Sequence, residues 1–236
     1  MKPIKRYRKT LLACLLPATL IMSGCADDDD DPAMSAYTIK ITNVTNAQPL
    51  TPVAVVLHKA GYVAWGIGTA ATTGLEKLAE GGDTTDFITE AKADANVLMT
   101  DQAGSGAFLP GTSVSVDMTL ASDDEMLLTL ASMLAKTNDA FAGSQQVDIG
   151  SMNVGDSKTI YSHVHDSGTE LNTESAGTMP AVSSGEGFNG ARDDINDFVT
   201  LHSGVVTMDD GLSTSVLDES HRWLDAAARI DITRMK

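Results

Sequence analysis

Three short segments of this chain alternate apolar and polar residues, and that period of two narrows the fold more than any other feature. Tyr37-Thr38-Ile39-Lys40-Ile41-Thr42 alternates near the start, and Thr112 to Leu120 sets Val114, Val116, Met118 and Leu120 on one side. Ala228, Ile230 and Ile232 repeat the pattern close to the C-terminus. Successive side chains of an extended strand point to opposite faces, so this spacing describes strands with one buried face. Val53 to Leu57 and Met126 to Leu134 are more continuously apolar. The first suits a strand buried on both faces; for the second, periodicity leaves strand and helix open. Two segments carry helical spacing instead. Leu75, Leu78 and Ala79 share a face ahead of Gly81-Gly82, and Phe87, Ile88 and Ala91 share one behind a Thr84/Thr85 cap. Such helices would cover an edge or end of the sheet that otherwise invites pairing. Gly104 to Gly111 reads as a turn. Gly177 to Asn196 reads as a long polar loop, of a length that is usually functional or mobile.

The first 24 residues read as a leader. Lys2, Lys5, Arg6, Arg8 and Lys9 precede an apolar stretch, Leu11 to Met22, which is too short to span a bilayer stably. Met22-Ser23-Gly24-Cys25 then has the form of a lipobox, in which Cys25 is lipidated and becomes the new N-terminus. The plainer alternative is a cleaved signal with a coincidental cysteine. Asp27 to Asp31 followed by Pro32 is a self-repelling spacer. Residues 25–36 thus form an acidic tether and 37–236 one domain, held by lipid to a bacterial cell envelope. Ala26, where an aspartate would retain the lipoprotein in the inner membrane, points to the outer membrane. Cys14 and Cys25 are the only cysteines, so the mature domain has no disulfide. Losing the leader leaves 11 Lys and Arg against 32 Asp and Glu, a formal charge of −21. Nucleic-acid binding depends on basic residues that neutralise phosphates, so this balance argues against it. Divalent cations are the natural partners.

Two acidic turns focus that expectation: Thr137-Asn138-Asp139-Ala140-Phe141-Ala142-Gly143 and Asp166-Ser167-Gly168-Thr169-Glu170. Gly168 permits a positive φ, so the second loop can fold back and aim Asp166 and Glu170 inward, with Asp139 closing from the neighbouring loop. Calcium takes roughly six to eight oxygens, several of them from carboxylates and backbone carbonyls. The competing account is that these carboxylates bond only their own loop amides, a habit of aspartate in turns.

These same motifs resemble the spondin N-terminal (F-spondin) family. Asn138-Asp139-Ala140-Phe141-Ala142-Gly143 and the Asp166 to Glu170 turn carry the resemblance. Ala131-Ser132-Met133-Leu134 and Ala228-Arg229-Ile230-Asp231-Ile232-Thr233-Arg234 strengthen it, so that it runs from about Tyr37 to Arg234. The resemblance implies a mainly all-β fold, an antiparallel β-sandwich similar to C2 domains, with one or two short covering helices. It favours strand for Met126 to Leu134. It also implies a calcium site on loops at one end, its carboxylates falling on Asp139, Asp166 and Glu170. Animal members have aspartate at the last position, so Glu170 keeps the charge and adds a methylene. Animal members act in matrix adhesion and recognition.

Other motifs are weaker. His163-Val164-His165 suggests zinc, but structural zinc wants four nitrogen or sulfur ligands, and His58, His202 and His221 are scattered. Gly185-Glu186-Gly187-Phe188-Asn189-Gly190 matches G-x-G-x-x-G without the strand and helix that the dinucleotide fingerprint needs. Asp193, Asp194 and Asp197 offer a second, weaker cation site, or solvated loop charge. No G-x-S-x-G elbow or P-loop occurs. Trp65 and Trp223 suit the core or a ligand platform, and Asn43-Val44-Thr45 is a formal glycosylation sequon. The preferred reading is a non-enzymatic, calcium-binding envelope lipoprotein that recognises a protein or glycan ligand through its metal-bearing loops. A structural envelope protein whose calcium only stabilises the fold is the alternative, and a metal-assisted hydrolase comes third.

Overall fold

Each of the three alternating segments forms a strand, and both continuously apolar runs do as well. The computed structural model describes residues 33–122, 125–182, 185–191 and 197–236. The leader, Cys25 and the Asp27 to Asp31 run lie outside the described residues. In chain order the elements are β1 (Met34–Asn43), β2 (Val53–His58), α1 (Thr73–Gly81), α2 (Thr85–Ala93), β3 (Val97–Ala103) and β4 (Ser113–Ala121). They continue with β5 (Leu127–Met133), β6 (Ala140–Asp148), β7 (Ser157–Asp166), β8 (Thr200–Leu201) and β9 (Ala226–Arg234). β1 thus takes up Met34 to Ala36, three residues that the sequence reading assigns to the tether.

The strands are all antiparallel, in the order β3-β2-β5-β6-β7-β9-β1-β4, with the two-residue β8 added beside β7. β3 and β4, the two ends of that order, touch one another, so the sheet folds back on itself as an antiparallel β-sandwich. Tyr37, Ile39 and Ile41 of β1, Met118 of β4 and Ile230 and Ile232 of β9 fill the interior with Val53, Val55 and Leu57 of β2 and Leu128 and Leu130 of β5. Fully burying an aliphatic side chain of this size contributes about 1.5–3 kcal/mol, which is why these faces specify register.

All six residues of β2 are buried, because its outer face is covered too. Ala54 and Val56, with Ala131 and Phe141 of the neighbouring strands, pack under Leu75, Leu78 and Ala79 of α1 and Phe87 and Ala91 of α2. The helices therefore cover a face of the sandwich as well as its β3 edge, a correction to the edge-or-end placement read from the sequence. Trp65 belongs to this second cluster, and Trp223 packs partly buried at the margin of the main core.

The helix ends follow local chemistry. Thr72 caps α1 by accepting from the Leu75 N–H at 3.2 Å, and Gly82 ends it at φ +70°, its N–H bonded to the Leu78 carbonyl at 2.9 Å. The expected Thr84 cap of α2 is absent. Thr84 donates its hydroxyl to Gln102 on β3, and Asp83 instead accepts from the Thr85 N–H at 2.9 Å. The sequon asparagine is also spoken for: Asn43 is wholly buried and donates to the Gln48 and Phe108 carbonyls.

Candidate metal centre

Strand pairing brings the two acidic turns together. β6 and β7 align Ala140 with Asp166, so Asp139, one residue outside the ladder, lies beside the start of the second turn. Only the first half of the Thr137 to Gly143 motif is a turn; Ala140 to Gly143 is already strand β6. Asp139 is fully buried. Its Oδ2 accepts from the Ser167 hydroxyl at 3.0 Å and from the N–H groups of Thr169 and Glu170 at 2.9 and 3.0 Å. Gly168 makes this possible. Its φ is +76°, and a Cβ there would lie 2.3 Å from the Phe198 carbonyl oxygen, so only glycine lets the loop turn its amides onto Asp139.

Asp166 is half-buried at the end of β7 and accepts from the Gly168 N–H at 2.8 Å and the Asn172 side-chain amide at 2.5 Å. Much of the local loop bonding is therefore the aspartate-to-backbone kind. Glu170 serves the loop end through both its backbone and its side chain. Its backbone N–H serves Asp139, while its carboxylate accepts from Asn138 at 3.3 Å. Among the described residues, no three His, Cys, Asp or Glu side chains gather closely enough to hold a metal ion.

The backbone contacts leave one atom unexplained. Asp139 Oδ1 is buried and has no hydrogen-bond partner among the described residues. Burial, and then the neighbouring charge of Asp166, push the Asp139 carboxyl up to about 7 against the pull of the Glu170 amide, the Ser167 hydroxyl and the Thr169 amide. A buried anion facing a second anion calls for a proton or a cation. The oxygens at hand are the Asp139 and Asp166 carboxylates and the Ser167 and Thr169 hydroxyls. That all-oxygen set fits a hard cation such as calcium and does not suit zinc.

The sequence reading missed the supports of this loop end. Asn138 donates to Thr178 at 2.7 Å and accepts the Glu174 N–H at 3.2 Å. Glu174, buried at φ +50°, takes the Ser215 hydroxyl at 2.6 Å and the Val206 N–H at 2.5 Å, so it pins the 205–217 segment against the site. His202, treated as scattered, touches Asn172 at 3.2 Å; burial lowers its pKa and the charge of Asp166 opposes that shift. Asn138 sits inside the quoted motif and could have been found. Glu174 and His202 carry no local signal.

The two histidines of β7 have separate surroundings. His163 is exposed beside Asp225 at 2.9 Å. His165 stacks on Phe141 at 5.0 Å, and burial lowers its pKa to about 4. In the Gly185 to Gly190 loop, the Asn189 N–H bonds Glu80 on α1 at 3.0 Å. Of the Asp193, Asp194 and Asp197 group, the first two lie outside the described residues. Asp197 bonds the Gly168 carbonyl through its N–H at 3.2 Å.

The Spondin_N family model matches residues 42–183, well over half of the chain. The chain belongs to the spondin N-terminal family. The match takes in both turns and every residue of the Asp139 centre through Glu170. It ends before β9, whose Ala228 to Arg234 motif lies beyond the matched residues of this spondin domain. No curated protein gives a match to the chain.

Proposed function

We propose that this spondin domain is a non-catalytic recognition module, lipid-anchored through Cys25 to a bacterial envelope, whose loop end is ordered by calcium. The observation that carries the reading is the buried, unpartnered Oδ1 of Asp139 facing Asp166. Calcium there would be held by Asp139 and Asp166 together with loop hydroxyls and carbonyls, and would offset their mutual repulsion. Leu171 and Leu201, exposed on the segments that flank the site, offer a ligand apolar surface to bury. That ligand is a protein or a glycan. A second reading, calcium as a purely structural ion, draws on the full burial of Asp139, which leaves little room for a ligand oxygen at that carboxylate.

Thermal unfolding with and without millimolar calcium tests the site. Extracellular calcium modules bind at about 10⁻⁴–10⁻³ M, so millimolar calcium is expected to raise Tm by several degrees. Asp166→Ala should abolish the shift. A Tm that ignores calcium would remove the metal from the account. A calcium-dependent pull-down of envelope protein or glycan then separates recognition from a structural role.

A further inference from the structure

At the opposite end of the sandwich, a cavity of about 190 Å³ opens between the β2–α1 connection and α2. Tyr62 and Phe87 supply aromatic walls, and Glu90 and Asp94 supply the charge; no basic side chain lines it. Three oxygens there have no partner among the described residues. The first is the Tyr62 hydroxyl, on a residue only 7% exposed. The others are the second carboxylate oxygens of Glu90 and Asp94, whose first oxygens are taken by the Gly74 N–H at 2.8 Å and by Asn96 at 2.8 and 3.0 Å.

The two acids are placed against local preference. Glu90 and Asp94 stand four apart along α2, where like charges repel. Asp94 is also the C-cap residue, at the helix end whose dipole disfavours an anion. Both carboxylates act on the same hydroxyl: burial and then the charges of Asp94 and Glu90 push Tyr62 up to about 12.

We infer that this cavity binds a primary alkylammonium group. An ammonium has three N–H donors and a positive charge, matching three free oxygen acceptors of which two are anionic. The aromatic rings favour the same cation through their electron-rich faces. The volume is below the roughly 300–1,000 Å³ of drug-sized pockets, which suits a head group on a short chain. Such a group comes from a free alkylamine or from a lysine side chain.

Amide NMR of the full-length chain tests this, titrated separately with n-propylammonium chloride and with Nα-acetyl-lysine methylamide. Saturable shifts at Tyr62, Glu90 and Asp94 with either probe support the site. Tighter binding of the lysine derivative would identify a protein lysine as the source, and equal or weaker binding a free amine. The Glu90→Gln, Asp94→Asn double variant keeps the acceptors for Gly74 and Asn96 and should weaken binding at least tenfold. Tyr62→Phe, which keeps the ring, should weaken it by a smaller factor. Absence of saturable shifts with both probes, or unchanged affinity in the double variant, overturns the proposal. So does equal binding of tetramethylammonium, which has no N–H, or saturable movement of the same amides by calcium chloride. The Asp139 centre lies at the other end of the sheet, so failure of either site leaves the other untouched.

Discussion

Asp139 shows how one buried oxygen makes a stability argument. Its folded carboxyl is raised from 3.8 to about 7, so the folded state holds a proton that the unfolded chain has released. Its contribution is fully present below about pH 4 and is lost as pH rises through about 7. His165 works the other way. Its folded pKa is lowered from 6.5 to about 4, so its contribution is present above pH 6.5 and is lost as pH falls toward 4. Without calcium, the two slopes oppose each other across pH 4 to 6.5. Asp139→Asn removes one of them, keeps an acceptor for the Thr169 and Glu170 amides, and puts an NH₂ where Oδ1 lacks a partner. We expect this variant to be more stable than the parent at pH 8 without calcium, by on the order of 1 kcal/mol. It should lose stability more steeply in acid and fail to respond to calcium. In the parent, calcium stabilisation should grow from pH 5 to 8, because the proposed site would bind the metal through the deprotonated carboxylate. Chemical unfolding across that pH range reads each effect; superimposable profiles for parent and variant would refute the assignment.

At the scale of elements, termini are decided by backbone conformation and by what stands next to it. Gly82 ends α1 in the left-handed region, and a Cβ there would fall 2.4 Å from the Thr51 methyl. Gly211 has a similarly positive φ of +102° but faces open space. Alanine at Gly211 therefore carries conformational strain alone, about 1 kcal/mol, whereas Gly82→Ala adds a clash in the packed layer under α1. We expect Gly82→Ala to cost on the order of 2–3 kcal/mol, clearly more than Gly211→Ala. Equal losses in urea unfolding would show that the Thr51 contact yields freely. The elements also show where periodicity stops being informative. β1, β4 and β9 face the core on one side, so alternation marked them. β5 is covered on both faces, by the core and by α1, and its continuous apolar run could not be told from a helix without the family resemblance. β3 and β6 went unmarked because each changes surroundings along its length. β6 begins among Ala140, Phe141 and Ala142, all buried, and ends exposed at Asp148.

For the whole molecule, the lipid anchor proposed at Cys25 makes a prediction of its own. Cys25→Ser should move the protein from the membrane fraction to a soluble fraction without changing the Tm of the domain; retention in the membrane pellet would rule out lipid anchoring. The amino-acid sequence alone determined the class of fold, both helices, five of the strands and the family, because periodicity, caps and short motifs are local properties that survive without a partner. It also brought Asp139 and Asp166 under suspicion, through motif rather than geometry. Tertiary structure decided the rest. Only the pairing of β6 with β7 sets Asp139 beside Asp166, only burial strands its Oδ1, and only the loop path turns Glu170 toward Asn138. The helices cover a face because β2 and β5 are apolar on both sides, and that depends on which strands become neighbours. The Tyr62, Glu90 and Asp94 cavity had no signal in the sequence for the same reason: its lining comes from a helix and a loop, and spacing along the chain does not encode distance through space.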